Sequence, residues 1–281
     1  PASTHVVPEK PHTQEETLSV SGSETASVNW QETPEKVPKS RVQGAVEPAI
    51  RAKMADITQR LLSDPANDLF LDPVPRAYED YYLLIENPIC LRDIRRKVDG
   101  SRYKSVQGFR RDLLLIVTNC VYYNMLMNSD QISNRKQAYA LHMTILDSLR
   151  DLTGEQCSRD QLHSLATVYH SIIEKVYSIE SKNVQLIRYF AIDNKRLIDY
   201  DRYVKKAILL RTILTHMISL DYESLEKLFN EFMLLFDNCI TYWRGYSPSK
   251  GAVYISAAET LKTLVANILN KVNETLPDLA S

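Results

Sequence analysis

The sequence predicts an all-α protein, two consecutive four-helix bundles preceded by a disordered tail. Three observations carry that expectation. Apolar residues recur at three- and four-residue steps through most of the chain, the period of a one-sided helix. Only seven glycines in 281 residues disfavour β-barrels and Gly-rich phosphate loops alike. A gap-free shift of 119 positions lays 78–124 on 197–243 with roughly a quarter of the residues identical, so one helical unit occurs twice.

Residues 1–45 are rich in Pro, Ser, Thr, Glu and Gln. Such a segment cannot bury enough apolar surface to offset its ordering entropy, and it reads as a disordered tail. From Pro48, a stripe of Ile50, Met54, Ile57 and Leu61 predicts a helix that ends at Asp64-Pro65, because proline disfavours helical geometry in the residue before it. An irregular, aromatic-rich segment runs from Pro65 to about Asn87, and loops of that length in a compact domain are usually functional. A short helix over 88–98 is expected, with Pro88 near its first turn. Ser105 then caps a longer one through Phe109, Leu113, Ile116, Val117, Cys120 and Tyr123. A polar loop at 128–134 and a helix through Ala138, Leu141, Ile145 and Leu149 close the first bundle.

The second unit follows the same order. Leu162, Leu165, Tyr169, Ile172 and Val176 begin a helix, an irregular stretch reaches about Arg202, and helices are expected near 206–218, 224–243 and 252–275. The shift places Asp80-Tyr81 on Asp199-Tyr200, Tyr103 on Tyr222, Ser105 on Ser224, Asn119-Cys120 on Asn238-Cys239 and Tyr123 on Tyr242. The expected domains are therefore 46–153 and 158–278.

Bulk chemistry narrows the function. A net charge of −1, from 34 basic and 35 acidic side chains, argues against a strong sequence-independent grip on nucleic acid. Arg95, Arg96, Lys97, Arg110 and Arg111 read as solvated helix faces rather than a phosphate-binding rim. No uninterrupted apolar run reaches the ~18 residues of a membrane span, so no membrane partner is expected. Cys90, Cys120, Cys157 and Cys239 are scattered without CxxC spacing and read as small buried hydrophobes in a reducing compartment. His163 and His170 lie seven apart without a third ligand at useful spacing, so neither metal nor cofactor is expected. No nucleophile–base pair stands out, which argues against an enzyme.

Sixteen tyrosines, against six phenylalanines and two tryptophans, suggest aromatic walls with polar tips. A lone Asn at a helix end commonly does no more than tolerate the left-handed conformation. Within Asn119-Cys120-Val121-Tyr122-Tyr123-Asn124, with Asp80-Tyr81-Tyr82 upstream, Asn124 reads instead as a ligand anchor.

These motifs resemble those of the bromodomain family. The resemblance rests on Phe70-Leu71-Asp72-Pro73-Val74, Asp80 through Pro88, Leu91-Arg92-Asp93-Ile94, Tyr103-Lys104-Ser105, and Phe109 through Asn124. It covers about 50–150, with a more divergent copy over 160–275. So diverged a tandem pair is also similar to the trypanosomatid bromodomain factors. The resemblance implies left-handed bundles with a pocket at one end and acetyl-lysine binding on histone tails. Asn124 would donate to the acetyl carbonyl and Tyr81 would hold a bridging water. Val74 and Phe70 would line the methyl end, Pro73 and Tyr123 the wall, with Tyr78 beside them, Cys120 at the floor and Ile132 as a gate.

Departures from the family pattern accompany the match. The usual Trp-Pro-Phe shelf reads Asp68-Leu69-Phe70, and the methionine after Pro88 is Ile89. In the second copy Tyr200, Cys239 and Tyr242 persist, but Trp243 replaces the anchoring amide, and an indole offers one donor on a bulky ring. The expectation is a nuclear, non-catalytic chromatin reader, with acetylated histone tails and other chromatin-complex subunits as partners. The alternative is a helical scaffold subunit with both pockets vestigial.

Overall fold

The computed structural model describes residues 46–127, 132–153, 157–182, 184–191 and 197–275. The expected tail over 1–45 lies outside the described residues, as does 128–131 of the polar loop.

Helix α1 (Pro48–Ser63) starts on a proline at its first turn, where the missing N–H costs nothing, and buries Met54, Ile57 and Leu61. The next segment is more ordered than its composition suggested. Asp64 accepts a hydrogen bond from the Ala66 N–H at 2.9 Å and opens a 3-10 turn over Pro65–Phe70. A short helix α2 (Glu79–Leu84) then carries the tyrosine cluster. Helix α3 (Leu91–Asp99) begins three residues after Pro88, not around it. The reason is local: Asp93 reaches back to the Cys90 N–H at 3.1 Å, a capping interaction that fixes the start of the helix beyond the proline.

Ser105 caps α4 (Val106–Leu126) as expected, accepting from the Gly108 N–H at 3.1 Å, and α5 (Ile132–Thr153) completes the first bundle. In the second copy α6 (Arg159–Tyr177) is capped by a reciprocal Ser158–Gln161 pair. The stretch expected to be irregular contains a two-stranded hairpin, β1 (Glu180–Ser181) and β2 (Val184–Gln185), with Glu180 opposite Gln185. A 3-10 turn (Leu186–Phe190) and a short α7 (Tyr200–Tyr203) follow. Three helices finish the fold: α8 (Leu210–Ser219), α9 (Leu225–Tyr246) and α10 (Pro248–Thr275).

By length and composition α10 could cross a membrane, although polar and charged residues interrupt its apolar sequence. One face of it, Ala257, Ala258, Leu261, Val265, Leu269 and Val272, is buried in the protein core. That core is continuous from Met54 on α1 to Val272 on α10. The described residues from 46 onward form one compact unit, in which α4 packs on α8 and α5 on α6.

Two expectations about single residues change. Arg110 is not simply solvated: it crosses to the second copy and donates to the Ser219 carbonyl at 2.6 Å, at the C-terminal end of α8. Cys157 is exposed rather than buried, while Cys90 is buried and Cys120 and Cys239 are half-buried.

Candidate functional site

Tyr81, on α2, is buried and packs edge-on against Tyr123 of α4, with ring centroids 5.1 Å apart. Tyr82 meets the Tyr81 ring edge-on at 5.3 Å and donates its hydroxyl to the Val74 carbonyl, which ties the loop before α2 to the tyrosine cluster. Burial, followed by the proximity of Cys120, Tyr82, Cys90 and Tyr123, pushes the Tyr81 hydroxyl well above its ordinary range. It stays a neutral donor and acceptor at physiological pH. Burial raises Tyr123 as well, helped by Asp80 and Tyr78. The sequence-predicted Tyr78, Tyr81, Cys120, Tyr123 and Asn124 are thus brought to one end of the first bundle.

Asn124 lies in the last turn of α4, 4% exposed. Its Nδ2 donates to the Cys120 carbonyl at 2.8 Å, and its Oδ1 accepts from the Asn134 amide at 3.3 Å. A carboxamide held at both ends has a fixed direction, the property a ligand anchor needs. Burial pushes the neighbouring Cys120 thiol up to about 12, against the hydrogen bond from Asn124, so this sulfur is packing rather than a nucleophile.

Other predicted residues sit further out. Phe70 is buried and Val74 half-buried against the core. Pro73 is exposed and borders shallow surface grooves shared with Arg92 and Arg95 on one side and with Arg76 and Tyr82 on the other. Tyr78 is 53% and Ile132 49% exposed; both are free to form a rim rather than a floor. Leu69, in the shortened shelf, is also exposed.

In the second copy the corresponding end encloses a cavity of about 40 Å³, lined by Tyr200, Cys239, Tyr242 and Trp243 together with Tyr189 and Ile208. That is far below the ~300 Å³ at which ligand pockets begin. Trp243 stacks on Tyr254 at 4.8 Å and 14°. Cys120 donates to the Asn134 carbonyl and Cys239 to the Tyr254 carbonyl; the amide pair Asn124–Asn134 of one copy is therefore an aromatic pair in the other.

The Bromodomain family profile matches this chain twice, over 54–137 and 169–259. The chain belongs to the bromodomain family. Its relatives include Tat-binding homolog 7 of Caenorhabditis elegans, 34% identical over 42% of this chain and 9% of that protein. Another is the chromatin structure-remodeling complex subunit rsc4 of Schizosaccharomyces pombe, 23% identical over 75% of this chain and 41% of that one. A solved structure of the Rsc4 tandem bromodomain acetylated at K25 aligns at 18% identity with a TM-score of 0.31, covering 83% of this chain and 85% of that chain. This bromodomain chain spans less than half the length of each of those two curated relatives. They are animal and fungal, so the narrower likeness to trypanosomatid factors gains no support from them.

Several residues next to the bromodomain site escaped the sequence reading: Asn134, Arg135, Glu174 and Arg188. One signal was present. Arg135 falls on the apolar stripe of α5 with Ala138, His142, Ile145 and Leu149, and it is 1% exposed. A charged residue on a buried stripe implies a partner from another element.

Proposed function

We propose that the first bromodomain (46–153) reads acetyl-lysine in histone tails while the second (158–278) serves as a divergent structural or partner-binding module. The chain would work in the nucleus, without catalysis, beside other subunits of a chromatin complex. Family membership and the chromatin-remodeling relatives support this reading. The observation that carries it is Asn124: a neutral amide, buried and directionally fixed, next to Tyr81, Tyr123 and Cys120.

The chemistry is selective rather than tight. Acetylation turns an ammonium into a neutral amide whose carbonyl can accept from an Asn or Tyr donor. Unmodified lysine has no acceptor and would lose its hydration on entering. The acetamide head offers about four heavy atoms; at about −1.5 kcal/mol each the ceiling is about −6 kcal/mol, a Kd in the tens of micromolar. Useful occupancy then depends on flanking contacts or on other reader subunits.

The test is an NMR titration of the full chain with an acetylated histone-tail peptide and its unmodified counterpart. The expected result is binding of the acetylated peptide alone, abolished in Asn124→Ala. Equal binding of both peptides, or an unaffected Asn124→Ala variant, would favour the scaffold reading, to which the small Trp243-lined cavity already lends weight.

A further inference from the structure

A helix leaves its last four carbonyls without intrahelical partners, and that end carries partial negative charge. In α4 this is the turn that holds Tyr123 and Asn124, and two guanidinium groups meet it. Arg135 donates Nη1–H to the Asn124 carbonyl at 3.2 Å. Arg188 donates Nε–H to the Leu126 carbonyl at 2.7 Å.

Both caps come from, or are held by, the second bromodomain. Arg188 lies in its 3-10 turn. Arg135 belongs to the first copy, but its Nε and Nη2 grip both carboxylate oxygens of Glu174 on α6, at 2.8 and 2.9 Å. The Tyr139 hydroxyl donates to the same carboxylate at 2.7 Å, and the guanidinium lies 3.9 Å over the Tyr177 ring. In the duplication Arg188 corresponds to Asp68, whose carbonyl likewise closes a 3-10 turn, and Arg135 to Ile255. The caps are therefore not features of one unit repeated twice; they exist where the two units meet.

We infer that the second bromodomain is the C-terminal cap of the helix that carries Asn124, with Glu174 and Arg188 as positioning residues for the first site. This rests on the reading of Asn124 as the ligand anchor. A buried guanidinium that loses its carboxylate partner is uncompensated and leaves its place. It would then release the Asn124 carbonyl, and the last turn of α4 would fray. An anchor must stay within about 0.5 Å of its productive position, so fraying costs affinity even though neither Glu174 nor Arg188 touches the ligand. A second pocket without its amide thereby keeps a role.

The experiment uses the full chain with Glu174→Gln, Arg188→Gln and, as a control in the α10 core, Leu269→Ala. Hydrogen exchange is followed over residues 123–127, and fluorescence anisotropy gives Kd for a histone-tail peptide with one acetyl-lysine and for its unmodified form. Each capping variant is expected to speed exchange at 123–127 and to weaken the acetylated peptide by about tenfold. Leu269→Ala should lower the melting temperature and leave both readouts alone. If Glu174→Gln does not fold, Arg188→Gln, at a half-buried position, decides the matter alone. Unchanged exchange at 123–127 overturns the cap. So does an unchanged Kd in a chain that still prefers the acetylated peptide. A wild-type chain that binds both peptides equally overturns the reader role instead, and the exchange data still judge the cap.

Discussion

At Gly251 a single hydrogen stands where any other residue would collide. A Cβ there would lie 2.4 Å from the Trp243 Cβ and 2.6 Å from its ring, and the same indole is held by stacking on Tyr254. Overpacking of this kind costs about 1–3 kcal/mol. Gly251→Ala is expected to lower the melting temperature, and Trp243→Ala in the same chain to cancel part of the loss. A Gly251→Ala protein that melts with the wild type would mean the aromatic pair is loosely held. In the first copy Asn124 and Asn134 stand in the places of Trp243 and Tyr254. The indole in the second copy thus alters the chemistry of the pocket and requires a glycine beside it. The sequence disclosed the indole, but Gly251 looked like any helical glycine because its clash is with a side chain eight residues away.

Among whole elements the duplication explains which repeated residues are structural. Asn119 on α4 donates to the Asn87 carbonyl at 2.9 Å, and Asn238 on α9 donates to the Lys206 carbonyl at 2.8 Å. Each amide fastens the loop that leads into the following short helix. Likewise Asp112 accepts from Lys97 and Tyr103, both at 2.8 Å, and Glu231 is met by His216 at 3.2 Å and by Tyr222 at 2.5 Å. Truncating a buried donor strands its acceptor at a cost of about 1–3 kcal/mol. Asn119→Ala and Asn238→Ala should each move the urea midpoint down by comparable amounts. A loss confined to one copy would show that the repeated amide does different work in the two. The repeat itself was legible as sequence identity. Its reason was not, because the acceptor is a backbone carbonyl 32 residues upstream and carries no residue signature.

For the whole molecule, the seam between the copies contains a pair of imidazoles. His142 is fully buried, with Nδ1 2.9 Å from the Nε2 of His170. Burial first, then His170, Arg110 and His163, hold His142 down to about 3, with an opposing contribution from the Ile218 backbone. Burial holds His170 down to about 4 against the pull of Glu174. Both folded-state values lie below the ordinary 6.5. The unfolded chain therefore takes up protons first, and stability that is complete above pH 6.5 is lost as the pH falls toward 4. The slope is about 1.4 kcal/mol per pH unit for each imidazole, shared by the pair. Burial raises the Glu174 carboxyl, but hydrogen bonds from Arg135 and Tyr139 together with the charges of Arg135 and His170 hold it below its usual value, which adds to the acid loss only below about pH 4.5. Urea midpoints from pH 7 to 4 should fall more steeply for the wild type than for a His142→Leu, His170→Leu double variant. Parallel profiles would remove the pair from the account.

Local rules suffice for the helical periods, for Ser105 and Ser224 as caps, for a duplicated unit, and for an amide in one copy where the other has an indole. Periodicity reports which face of a helix is buried and says nothing about what that face meets. Tertiary structure alone decided that the two cores fuse, that Arg135 turns inward to Glu174 39 residues away, and that Arg188 closes the end of α4. Those partners are selected by the packing of one bundle on another, and a buried charge or imidazole records only that some partner must exist.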